Sequence, residues 1–383
     1  ERVPLMLTIG LAASLILADA SVPDAPPTFK QWGLEAVDVI RRDLYLPHSD
    51  LYADKMTDDR PSGPAFMWGC GVMLSALNGA AGADPAYVPW LVEYSRALER
   101  YWNEEGPVPG LDVLPTPKPV DRYYDDNAWV VIALAESTRI LDDSGLDADA
   151  AHALDLAERT MAYVLSGEDD ALGGGIYWRE SDKASKNTCS NSPSAVAAYT
   201  LYERTGNAEY LAAGDRLLGW VLDRLQDPED LLMWDNMRLD GSVEHTKWSY
   251  NTALTIRALL MAAEAGSRLG TTRELRGLAR RMTDAAVERW VNRDTGGIRD
   301  GSAFAHLLVE ALLIAGDSLG ASRYREVAHR ALVRLHDEAR DSHGRYPNSW
   351  EAVTTEALAE WTLMDQAAAA RALLIAQPIA PIR

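Results

Sequence analysis

Two adjacent carboxylates, Asp125 and Asp126, stand where a long polar loop gives way to an apolar run, in Asp121-Arg122-Tyr123-Tyr124-Asp125-Asp126-Asn127-Ala128-Trp129. Neighbours on a helix differ by ~100° in direction, yet both can reach a ligand lying across the helix N-terminus. There the dipole and the free N–H groups favour an anion. Two carboxylates so close cannot both ionise cheaply, so one is pushed toward its protonated form. One ionised and one protonated carboxyl is the pairing that cleavage of a glycosidic bond uses. Taken alone, the dipeptide reads first as a helix cap beside a solvated first-turn acid.

Other loop ends shift that balance. Gly173-Gly174-Gly175-Ile176-Tyr177-Trp178-Arg179 precedes Lys186-Asn187-Thr188-Cys189-Ser190-Asn191. Further on come Trp234-Asp235-Asn236 and Thr246-Lys247-Trp248-Ser249-Tyr250-Asn251. Aromatic rings beside amides, carboxylates and ammonium groups stack on a sugar and bond its hydroxyls. Each segment also has a structural reading: a glycine turn, a Trp plugging the core, an Asn or Ser capping a helix.

The elements that position these loops are helices. Residues 272–290 carry an amphipathic stripe of Leu275, Leu278, Ala279, Met282, Ala286 and Trp290. Residues 208–225 and 321–335 repeat the pattern. A second helix type, seen in Trp129–Ala135 and Ala305–Ala315, is apolar almost all round and therefore buried on every side. Helices of this second type are predicted to start near Ala65, Asp125, Ser192, Tyr250, Ala303 and Glu351. Half-exposed helices fall between them, near residues 30–43, 85–102, 148–165, 208–225, 272–290 and 321–338. Six hairpins, with six helices inside and six outside, describe an all-α (α/α)6 barrel over residues 29–383. The long loops would gather at the N-termini of the inner helices, where function is expected on such a scaffold. An open helical solenoid is the alternative, and the fully buried inner set favours closure.

Composition narrows the partner. The net charge of −20 opposes a nucleic acid or an anionic membrane surface. The chain has 12 Trp and 15 Tyr against 3 Phe, a bias toward rings with both a flat face and a polar handle. Seven scattered His and two Cys, without a ligand-spacing motif, indicate no metal site and no disulfide scaffold; whether Cys70 and Cys189 pair is open. Residues 1–20 read as a signal peptide, possibly truncated, with Ala18-Asp19-Ala20 as the cleavage site; residues 21–28 form a Pro-rich tether. A secreted or periplasmic protein follows, with no integral membrane span after cleavage.

The chain resembles glycoside hydrolase family 76, the endo-α-1,6-mannanases, over nearly all its length after the tether. The match rests on Tyr123–Trp129, Gly174–Arg179, Lys186–Asn191, Trp234–Asn236 and Thr246–Asn251, and is weaker before residue 65 and after residue 345. The resemblance implies the (α/α)6 barrel and no cofactor. It implies endo-acting cleavage of α-1,6-linked mannose in mannan, with retention, through a covalent glycosyl-enzyme. Asp125 becomes the nucleophile and Asp126 the acid/base. Asp235 and Asn236 are expected at mannose hydroxyls, and Tyr124, Trp178, Trp248 and Tyr250 at stacking or wall positions. Asn127, Lys186, Asn187, Asn191, Lys247 and Asn251 complete the expected substrate-binding set. His306 near the start of an inner helix could line the cleft, but a capped or core histidine is the better reading. A transglycosidase acting on mannosylated glycans or glycolipids, and a non-catalytic mannan-binding protein, are the competing functions.

Overall fold

The computed structural model describes residues 28–115 and 121–377; the expected signal peptide and residues 21–27 of the tether lie outside them. Twelve α-helices follow one another in pairs: α1 (Phe29–Leu44), α2 (Met67–Ala83), α3 (Val88–Ala97), α4 (Tyr124–Asp143), α5 (Asp147–Leu165), α6 (Thr188–Thr205), α7 (Ala208–Leu225), α8 (Ser249–Ala265), α9 (Thr272–Trp290), α10 (Ser302–Ser318), α11 (Ser322–Arg334) and α12 (Leu363–Ile375). The even-numbered helices pack in a ring, α2–α4–α6–α8–α10–α12, and α12 closes back on α2. The odd-numbered helices lie outside it, α3, α5, α7, α9 and α11 each against the preceding inner helix and α1 against α12. This is the expected barrel, closed rather than open. None of the described helices is long and apolar enough to cross a membrane.

Residue chemistry explains the two layers. In α2, residues on every face are buried, from Met67 through Val72 and Met73 to Ala81. Close helix approach needs small residues: a Cβ on Gly79 would lie 2.8 Å from Leu374 Cβ of α12. Outer helices bury one stripe, and α9 starts on a capping box between Thr271 and Glu274. Left-handed glycines, Gly206 and Gly266, stop α6 and α8.

Two inner helices begin elsewhere than predicted. The last starts at Leu363, not near Glu351, because Thr362 caps it by accepting from Asp365 N at 3.1 Å. The chain before it is extended, and residues 360–362 pair antiparallel with 55–57. Helix α6 starts at Thr188 rather than near Ser192 and carries Pro193 inside it.

The barrel interior holds an ion cluster. Arg371 of α12 bonds Glu310 of α10 at 2.9 Å and Glu136 of α4 at 3.0 Å. Arg257 of α8 also reaches Glu310, at 3.1 Å. Burial works against the Glu310 carboxylate, yet the two arginines hold it well below its usual range, at about 2.

Candidate active site

The first turn of α4 carries both acids, and neither caps the helix. The N-cap is Tyr123, in extended backbone, with no side-chain cap bond. Asp125 is clasped from several sides. Its Oδ1 accepts the Asp126 N–H at 3.1 Å, and its Oδ2 accepts the Trp178 indole N–H at 3.1 Å. The Cys189 thiol, from the first turn of α6, is a further group that stabilises its anion, and Tyr250 of α8 acts on that thiol in turn. Both cysteines are buried and unpaired.

The glycine-rich loop aims Trp178. Trp178 O accepts from Tyr124 N at 3.0 Å, and Trp178 N donates to Ser185 O at 3.1 Å. Gly175 has φ +81°, and a Cβ there would stand 2.6 Å from Trp220. Only glycine fits that close, left-handed approach. Lys186 ties the same loop down, donating to Asp169 Oδ1 (2.7 Å), Ala171 O (2.8 Å) and Gly174 O (2.8 Å).

The two carboxyls sit in unequal surroundings. Burial raises Asp125, but Cys189, the Asp126 N–H and Trp178 all stabilise its anion. Burial raises Asp126 further, the charges of Asp125 and Asp121 add to it, and no described side chain donates to it in compensation. The pair therefore keeps its shared proton on Asp126 and its charge on Asp125. Replacing Trp178 by Phe removes one donor from the Asp125 anion. Its ionisation moves to higher pH, so the acidic limb of kcat/KM should rise by roughly half a unit to one unit. An unmoved limb in the pH profile would mean that the indole N–H does not act on Asp125.

A cleft of about 430 Å³ opens over the pair. Tyr123 and Trp178 meet edge to face at 5.0 Å along it. Tyr250 and Phe304 stack at 4.4 Å, and Trp68 lies against both. Trp129 borders both the cleft and a void of about 20 Å³ inside the barrel. Phe66, Val113 and Asp121 complete the lining. The acids, Trp68, Tyr250 and Phe304 come from the first turns of α2, α4, α8 and α10, so these N-termini converge at one end, and Trp178 reaches it from the α5–α6 loop.

The expected residues divide into two groups. Asp125, Asp126, Trp178 and Tyr250 line the cleft. Trp248 is 38% exposed and packs against Phe304 at 5.4 Å. Asp235 is held by Asn236 (2.8 Å) and Asn251 (3.4 Å), and its charge reaches Cys189. The others make contacts within the framework. Asn127 bonds Leu111 N and O, each at 2.9 Å, and Asn191 bonds Ile176 N (2.7 Å) and O (3.0 Å). Each clamps a loop backbone to the start of an inner helix, which leaves its amide spent. Lys186 is fully buried in the loop contacts above. Lys247 is engaged by Asp227 and Asp230. Tyr124 is buried and stacks on Tyr163 at 5.0 Å. Asn187 is buried and accepts from Ser185. His306 is a core histidine: its Nδ1 meets Ser302 O at 2.9 Å, and burial pushes it down to about 4.

Phe66, Trp68, Val113, Asp121, Tyr123, Trp129 and Phe304 line the cleft without having been singled out as binding residues. Tyr123 and Trp129 stood inside a quoted motif. The usable signal for Trp68 and Phe304 was their place in the first turn of an inner helix.

The family model for glycosyl hydrolase family 76 matches residues 47–319. A solved GH76 α-mannanase of Bacteroides thetaiotaomicron is 27% identical, with a TM-score of 0.82 over 91% of this chain and 95% of that one. The GH76A α-1,6-mannanase of Salegentibacter sp. HEL1_6 is 20% identical, with a TM-score of 0.74 over 90% and 98%. An inactive variant of that protein, with two consecutive aspartates replaced, has been solved with α-1,6-mannotriose. The meiotically up-regulated gene 191 protein of Schizosaccharomyces pombe aligns over 177 residues at 27% identity, 43% of this chain. The chain spans 39% of the length of that relative. With the family model matched over well more than half of it, the chain belongs to glycosyl hydrolase family 76.

Proposed function

We propose that this chain is a secreted, endo-acting hydrolase of α-1,6-linked mannan that retains anomeric configuration. Asp125 is the nucleophile and Asp126 the acid/base. The unequal setting of the two carboxyls carries this reading: the one that accepts from the Asp126 N–H and the Trp178 indole is the anion, and the one without such donors holds the proton. Asp126 gives its proton to the glycosidic oxygen as the bond to the anomeric carbon breaks. An oxygen of Asp125 bonds that carbon. Asp126, now a base, takes a proton from water, the water attacks the same carbon, and Asp125 is released. Carboxyls on consecutive residues lie close together, which suits the ~5–5.5 Å spacing of retention better than the ~6.5–9.5 Å of inversion.

Substrate identity is drawn from the relatives. The Salegentibacter enzyme is an α-1,6-mannanase, and its inactive form replaces two consecutive aspartates. In this chain, Trp178, Tyr250 and Trp248 offer faces for mannose rings, and Asp235 with Asn236 offers partners for hydroxyls. Transfer to a second sugar uses the same covalent step with another acceptor. Incubation with linear α-1,6-mannan, with and without an added mannoside acceptor, decides between them. Release of free reducing ends in both arms is expected. Products extended by the added acceptor, as the main outcome, would replace hydrolysis with transfer.

A further inference from the structure

Asp121 also lines the cleft, beyond the two acids of α4. It is paired with Arg179 of the α5–α6 loop, whose Nη2 and Nε both reach Asp121 Oδ1, at 2.7 and 3.0 Å. The Arg179 guanidinium lies over the Tyr123 ring, 5.1 Å from its centroid. Tyr123 meets Trp178 edge to face, and Trp178 donates to Asp125. The backbones of Tyr123 and Arg179 are bridged as well. One run of contacts therefore leads from Asp121 through Arg179, Tyr123 and Trp178 to the nucleophile.

We propose that Asp121 is a third functional carboxylate of this cleft: with Arg179 as its counter-ion, it sets the charge against which Asp126 holds its proton. The inference rests on the assignment of Asp126 as the acid. Asp121 is a positioning residue in this scheme, acting through Arg179 and through its field. Its charge is one of those that push the Asp126 proton to higher pH. Among the described residues, the ionisable groups around the acids are few. Asp121, Tyr123 and Asp125 come from the same segment, Cys70 from α2, Cys189 from α6, Tyr250 from α8 and Arg179 from the α5–α6 loop. Among the described residues, Arg179 is the one cation in that set. Its side chain is 34% exposed and that of Asp121 37%, so the pair lies partly in solvent and its influence weakens with salt.

Opposite signs separate this role from a structural one. Asp121→Asn removes a negative charge and leaves Arg179 without its bonded carboxylate, with only the more distant charge of Asp182 against it, so Asp126 loses its proton at lower pH. Arg179→Gln leaves the Asp121 charge unmasked, so Asp126 keeps its proton to higher pH. A purely structural ion pair would make both variants change alike, because both break it.

The test is the basic limb of kcat/KM against pH on an aryl α-mannoside. Alongside it, the Asp126 carboxyl is titrated by carbon-13 NMR of aspartate-labelled protein, its signal identified by its loss in Asp126→Asn. Asp121→Asn should lower the limb and the NMR midpoint by roughly half a unit. Arg179→Gln should raise both, and the double variant should fall between. Shifts in one direction for both single variants, or no shift, overturn the proposal. The NMR arm needs no turnover, so a protein inactive on mannosides still tests the pair, and its inactivity counts against the proposed function alone.

Discussion

Asp125→Asn should lose on the order of 10⁴-fold or more in kcat on α-1,6-mannan, with KM little changed. The carboxylate at this position makes its bond to sugar only as the reaction proceeds, so its loss falls on the chemical step. The amide oxygen can still accept from the Asp126 N–H, while its NH2 replaces the acceptor of Trp178, so one of the two bonds is lost but the helix start should hold and the protein should fold. Asp126→Asn should behave differently. The general acid contributes ~10²–10⁴-fold. A leaving group that departs without a proton, such as a dinitrophenol, bypasses it in the first step. Asp126→Asn should therefore form the glycosyl-enzyme from a dinitrophenyl α-mannoside and then stall, because the base of the second step is missing. Asp125→Asn should gain nothing from that substrate. Equal rescue of both variants would remove the division of labour between the two acids.

Arg371→Met should destabilise the barrel by roughly 3–5 kcal/mol at neutral pH. Arg371 is buried among α12, α10 and α4, and it holds Glu310 and Glu136 while also donating to Ser75 O at 3.1 Å. Its removal strands Glu310 with only Arg257. In the wild type, the depressed ionisation of Glu310 contributes stability that is present above the unfolded carboxyl range and lost as pH falls through about 2. In the variant, burial dominates and Glu310 takes a proton at a higher pH. The penalty should therefore shrink as pH falls toward 4. Adding Glu310→Gln to Arg371→Met should recover part of the loss, because the stranded charge is gone. Urea unfolding midpoints at pH 7 and pH 4 measure both effects. A loss below about 1 kcal/mol at pH 7 would show that the cluster does not hold the ring together.

The closed ring was legible because the inner helices are apolar on all sides and the outer ones on a single stripe. Helix α12 was misplaced at its start because residues 351–362 hold enough apolar and acidic residues to resemble a helix, while the deciding feature is one cap, Thr362 to Asp365. The pair of carboxyls in the cleft was visible as a dipeptide at a loop–helix junction. The backbone contacts of Asn127 and Asn191 were not legible, because an amide that can bond a sugar hydroxyl can equally bond a peptide group, and sequence does not say which is nearer. The same holds for Lys186 and Lys247, each of which finds carboxylates or carbonyls within its own loops. Phe66, Trp68 and Phe304 carried no motif, and only convergence of separate helix starts brings them to one cleft. The ion cluster of Glu136, Arg257, Glu310 and Arg371 joins four helices distant in sequence, so no local pattern announces it.

The central claim is that Asp125 attacks the anomeric carbon of α-1,6-linked mannose while Asp126 serves as acid and then base. Time-resolved proton NMR of wild-type digestion of linear α-1,6-mannan tests it most directly. The first reducing ends to appear should be α, with β anomers growing in only at the rate of mutarotation. Reducing ends that appear first as β, or a mannan left intact at high enzyme concentration, would contradict it.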